Sequence, residues 1–96
     1  MEYRPYTNTQ IKESNNIKTF IRHFPFNIDD IEFKWHKDLY NRSIKIIQSE
    51  NWLMQYENEI PIELKENQIY YIEKDKWHRV IKGTNDLIIE ITEFLL

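Results

Sequence analysis

From residue 42 to residue 94 the chain never runs more than a few residues before a turn signal interrupts it, and this cadence limits the fold more than any other feature. Apolar-rich runs at 42–47, 52–57, 60–64, 68–72, 77–81 and 87–94 are separated by clusters such as Ser49, Glu50, Asn51 or Lys82, Gly83, Thr84, Asn85. Ile60, Pro61, Ile62, Glu63, Leu64 alternates apolar and polar with period two, as a half-buried strand does. Pro61 marks that run as an edge strand or a strand start, because proline cannot donate to a ladder. Roughly six or seven short strands, at about 8–12-residue spacing, are the pattern of an all-β sandwich or barrel.

The N-terminal third reads differently. Residues 1–13 are polar and suggest an extended arm. In 14–24, Ile17, Phe20, Ile21 and Phe24 fall at helical spacing, Asn15 or Asn16 can cap the first turn, and Pro25 ends the run. A short helix is therefore expected at 14–24, ahead of a barrel over 31–94, in one domain spanning 1–96.

Composition removes several function classes. The net charge of −3, with lysines and arginines interspersed among acids, argues against nucleic-acid binding, which draws on clustered cations. The absence of cysteine excludes thiolate metal sites, disulfides and cysteine nucleophiles. Ser14, Ser43 and Ser49 lack the context of an activated nucleophile, and there is no glycine-rich phosphate loop. No segment resembles a leader peptide or approaches the about 18 apolar residues of a membrane span, so a cytoplasmic protein without a membrane partner is expected. Glycine occurs once, at Gly83, and alanine never, a bias consistent with an AT-rich source.

Two spaced motifs carry a family resemblance. Asn67, Glu73, Asp75, His78 and Lys82 occupy the positions of the second cupin motif, Gly-x5-Pro-x-Gly-x2-His-x3-Asn. Asn and Asp are the residues that best replace glycine in left-handed turns. His36 and Asp38 match the His-x-His step of the first motif, with Arg42 where the family has glutamate and Ser49 where it has the closing glycine. The chain thus resembles a small single-domain cupin over roughly residues 31–94. The resemblance implies an antiparallel jelly-roll barrel, a homodimer, and a small-molecule ligand inside the barrel.

Strand periodicity puts His36 and Asp38 on one face, joined by Arg42 if the strand continues, and puts His78 and Val80 together on another. If the cupin registry holds, His36, Asp38 and His78 converge as ligands for a divalent metal (Fe, Mn, Ni or Zn). Two imidazoles and a carboxylate suit non-haem Fe(II) and leave positions open. The resemblance then implies a metal-dependent dioxygenase or isomerase acting on a small polar or anionic molecule. Arg42 could hold a substrate carboxylate, or it could neutralise Asp38 in a buried ion pair, leaving a binding cupin without metal. Gln55 and Tyr71 are further candidate ligand contacts, Gln55 only if its face of the strand points inward. A metal-free acid–base site, with His36 or His78 as base and a tyrosine as acid, is the catalytic alternative. An interaction protein, using the outer face around Trp77 and Ile81, is the non-enzymatic one.

Overall fold

A computed structural model describes residues 6–27 and 34–96. Eight strands form two antiparallel sheets: β1 (Thr7–Ser14), β2 (Ile17–Phe24), β3 (Asn41–Gln48), β4 (Leu53–Tyr56), β5 (Ile62–Glu63), β6 (Ile69–Ile72), β7 (His78–Ile81) and β8 (Leu87–Phe94). The larger sheet has the order β1-β2-β8-β3-β6 and the smaller β5-β4-β7. Among the described residues there is no helix, and none is long and apolar enough to cross a membrane.

The all-β expectation holds, and the strands from β3 onward follow the expected runs closely. Residues 31–33 of the expected barrel lie outside the described residues. The expected helix at 14–24 is wrong. Its residues form the turn and second strand of a hairpin, in which Ser14 pairs with Ile17 and Thr7 with His23. A spacing of four is compatible with one helix face and equally with one strand face, since four is a multiple of two. Phe20 and Phe24 are buried on the inner face, whereas Ile17 is 44% exposed. Asn15 takes a left-handed φ of 41° in the two-residue turn rather than capping a helix. The expected arm is likewise a strand from Thr7, with a bulge between Thr9 and Lys12 where Gln10 has a φ of 52°.

Strand β8 shows why the larger sheet forms. Leu87, Ile89, Ile91 and Glu93 are buried, and the residues between them are only half-buried. With ladders on both sides, to β2 and to β3, it is a central strand. Its inner face meets Phe20, Phe24, Ile44 and Ile46 from the same sheet, and Trp52, Met54 and Leu64 from the other side of the core. Each such large side chain contributes about 1.5–3 kcal/mol by leaving water. Trp52 is fully buried, donates its indole N–H to the Asn85 carbonyl at 2.5 Å, and packs 5.9 Å from Phe24.

Asparagine and aspartate do much of the turning that glycine would do elsewhere. Asn51, Asn58, Asn67 and Asp75 all have φ between 62° and 66°. Asn67 and Asp75 are two of the positions at which the cupin motif carries glycine. Pro61 precedes β5, an edge of the smaller sheet, as its missing donor requires.

Candidate metal centre

Backbone pairing brings the two histidines together. The His36 N–H donates to the His78 carbonyl at 2.9 Å, and the His78 N–H donates to the His36 carbonyl at 3.0 Å. Their rings lie 4.3 Å apart, centre to centre. The turn before β7 is held against the chain after His36: Asp75 N–H donates to the Asp38 carbonyl, and Lys74 N–H donates to the Asn41 side-chain oxygen. The left-handed Asp75 therefore does more than reverse the chain. It sets the register at which His78 meets His36.

Each ring is then aimed. His36 Nδ1 lies 3.0 Å from the Lys34 carbonyl oxygen, and His78 Nδ1 lies 2.8 Å from that of Lys76. A carbonyl can only accept, so in each neutral ring the proton sits on Nδ1 and a lone pair on Nε2. Both Nε2 atoms face Asp38: that of His78 is 3.2 Å from Oδ2, and that of His36 is 3.9 Å from Oδ1. One donor atom from each of the three residues lies within 4.8 Å of the others.

In that tautomer the short His78–Asp38 approach carries no proton and is not a hydrogen bond. Asp38 Oδ2 is buried and receives no donor, as expected if a lone pair rather than a proton points at it. Three electron-pair donors thus converge on one point. A cation suits such a set, and carbonyl tethering of the distal ring nitrogen is how metal-binding imidazoles are commonly oriented. The residues present fit a divalent metal.

Burial alone would raise the Asp38 pKa. Donation from His78 when its ring is protonated, with the charges of Arg42 and of the protonated histidines, outweighs it, and the carboxyl stays below its ordinary value and ionised. Burial also pushes His36 below the ordinary histidine value, against the pull of the Lys34 carbonyl, which keeps its lone pair available at neutral pH. The His36 side chain is 48% exposed and that of His78 only 3%, so the group opens to solvent on the His36 side. Tyr56 stands behind His78, with ring centres 6.0 Å apart. Burial raises the Tyr56 pKa, and its hydroxyl donates to the Tyr71 carbonyl.

Arg42 does not stand as a free substrate anchor. Its Nε and Nη2 both donate to Glu93 Oε2, at 2.9 and 2.6 Å, and its Nη1 lies 3.3 Å from Asp38 Oδ1. The guanidinium bridges two carboxylates and leaves Asp38 Oδ2 to His78. Glu93 was detectable in the sequence as the one charged residue on the apolar face of Leu87, Ile89, Ile91, yet its partner lies 51 residues away and sequence spacing does not reveal it.

Gln55 and Tyr71 lie elsewhere. Gln55 pairs with Arg79 across β4 and β7, accepts from its Nε at 2.9 Å, and shares the outer face with it; Met54 and Tyr56 point inward instead. Tyr71 sits opposite Ser43 on the outer face of β6 and is 54% exposed. The inward tyrosine is Tyr70, whose hydroxyl donates to the Glu63 carbonyl and accepts from Lys65 N–H, closing the barrel wall. His23 lies 2.7 Å from Asp86 Oδ2 on the outside of the barrel.

No family profile and no curated protein matches the chain. Solved structures do. DMSP lyase DddQ from Ruegeria pomeroyi DSS-3 superposes with a TM-score of 0.77 at 10% identity, over 94% of this chain and 47% of that one. A cupin-2 domain containing protein from Shewanella frigidimarina NCIMB 400 gives 0.72 at 15% identity, over 97% and 84%. Fe(II)-HppE with an alternative substrate gives 0.62 at 15% identity, over 82% and 43%. The chain spans just under half the length of the first and third. At these identities the likeness establishes architecture: the chain has the cupin fold.

Proposed function

We propose that this cupin-fold chain holds a divalent metal on His36, Asp38 and His78 and uses it to bind, and act on, a small polar or anionic molecule inside the barrel. One observation carries the reading: both imidazoles are tethered through Nδ1, so their Nε2 lone pairs turn toward the buried Asp38 carboxylate, whose Oδ2, beside His78, has no donor. Fe(II) in the structurally similar HppE supports a metal of this kind in a fold of this kind.

A bound divalent ion would supply Lewis-acid polarisation or, as iron, one-electron chemistry, and three protein ligands leave it open positions. The chain's own residues do the rest. The Lys34 and Lys76 carbonyls orient the two rings. Arg42, anchored by Glu93, holds Asp38 through Oδ1 and presents Oδ2 to the site. Tyr56 and the buried side of His78 exclude water from behind, so a ligand approaches past the exposed His36.

A second reading has its own observation. The Arg42–Asp38 approach of 3.3 Å is what a metal-free pocket with a buried ion pair would contain. Metal analysis of tag-free protein separates the two. After exposure to Fe(II), Mn(II), Ni(II) or Zn(II) and desalting, about one equivalent should remain on the wild type and far less on Asp38→Ala. Retention below about 0.2 equivalents of every metal by the wild type overturns the metal reading.

A further inference from the structure

Arg22 lies on the inner face of β2, between the buried Phe20 and Phe24. Its row across the larger sheet is apolar: Arg22 pairs with Ile89, which pairs in turn with Ile46. Placing a guanidinium in such a row costs desolvation that an aliphatic residue would avoid. Burial lowers its pKa to about 10, which still leaves it charged at neutral pH.

The contrast with Arg42 is informative. Arg42 is bound to Glu93 and adjoins Asp38. Among the described residues no carboxylate pairs with Arg22. Its Nε donates to the neutral Asn8 side-chain oxygen at 2.9 Å, and one face of the guanidinium lies 3.7 Å from the Tyr6 ring centre. These contacts fix its plane, and among the described residues neither Nη has an acceptor. Arg22 is only part-buried, so its side chain is not sealed from solvent. The charge also interacts with Arg42, Asp38 and Glu93, which places it within electrostatic reach of the candidate metal centre.

We propose that Arg22 is the anion anchor of the barrel, binding the carboxylate of a small-molecule ligand whose other end reaches the His36–Asp38–His78 group. A guanidinium oriented by Asn8 and Tyr6, with two Nη groups open, matches a carboxylate's paired oxygens. A single unpaired cation also suits a monoanionic group better than a phosphate dianion. The proposal rests on reading the barrel interior as a ligand site.

The test uses the full chain, with and without Mn(II), titrated calorimetrically with malonate, succinate and glutarate, and with the corresponding neutral diamides. At least one dicarboxylate should bind saturably, about tenfold or more tighter than its diamide. Arg22→Gln should weaken it by about tenfold or more while Mn(II) uptake stays unchanged, and Arg22→Lys should recover part of the loss. Asn8→Asp, which supplies Arg22 with a carboxylate of its own, should weaken binding with Arg22 intact, and it serves as the second variant should Arg22→Gln fail to fold. The proposal is overturned if no dicarboxylate binds, if the diamides bind as tightly, or if the folded variants keep affinity within about twofold of wild type. Arg22-dependent binding in a protein that takes up no metal removes the metal centre and leaves the anchor. Arg22-independent binding with full metal uptake does the reverse.

Discussion

Removing the charge of Glu93 should damage the protein twice. Glu93 Oε2 accepts both Nε and Nη2 of Arg42, and the two side chains are only 10% and 16% exposed. Glu93→Gln keeps the shape and leaves a buried guanidinium short of its main counter-charge. Breaking one partner of a buried pair costs about 3–5 kcal/mol. Even the lower figure of about 3 kcal/mol lowers Tm by roughly 12 °C or more in a domain of this size. The second effect is on the site. Arg42 then has Asp38 as its remaining carboxylate, with Nη1 already 3.3 Å from Oδ1, and a tighter pairing there draws the carboxylate away from the position in which Oδ2 faces the site. Loss of such an outer support typically lowers metal affinity about 10–100-fold. Thermal unfolding of metal-free protein reads the first effect, and competition with a chelating dye reads the second. The paired variant Arg42→Met with Glu93→Met should recover most of the lost stability, since no buried charge is left alone. A Glu93→Gln protein with unchanged Tm and unchanged metal affinity would refute the account of Arg42 as a strut held by Glu93.

Two further outcomes follow from the structure. A Cβ at Gly83 would meet the Glu50 carbonyl oxygen and the Trp52 ring, so Gly83→Ala should cost about 1–3 kcal/mol, read as a lower urea midpoint, and an unchanged midpoint would show that the backbone there yields freely. Asp86 accepts from Phe26 N–H and His23, and these bonds hold its carboxyl below the ordinary value. Its contribution is therefore present above the unfolded carboxylate pKa of about 3.9 and is lost as pH falls through the lower folded value. Subtracting the stability curve of Asp86→Asn from that of the wild type should leave a difference that shrinks with acidification, and a flat difference across that range would remove the linkage.

Much of this protein was legible before any coordinates. The alternation in 42–94 and the turn clusters between runs specify strands because period two is a local property of the backbone. The left-handed conformations at Asn67 and Asp75 follow from residue type, since few other side chains accept them in a chain with a single glycine. The inward aim of His36, Asp38 and His78 came from motif spacing, and the geometry brings the three together.

Other features belong to the tertiary structure, for physical reasons. Phe20 and Phe24, four apart, satisfy a helix and a strand equally, and only the ladder to β8 selects the strand. Whether Tyr70 or Tyr71 faces inward depends on the register of β6 against β3, and a slip of one residue would exchange them. The partner of Arg42 is 51 residues distant, and no local pattern encodes a bond closed by sheet order. The ladder of β2 to β8 likewise places Arg22 inside the barrel, opposite Ile89. Local periodicity thus determined which residues could face the interior, and long-range strand pairing decided which of them meet.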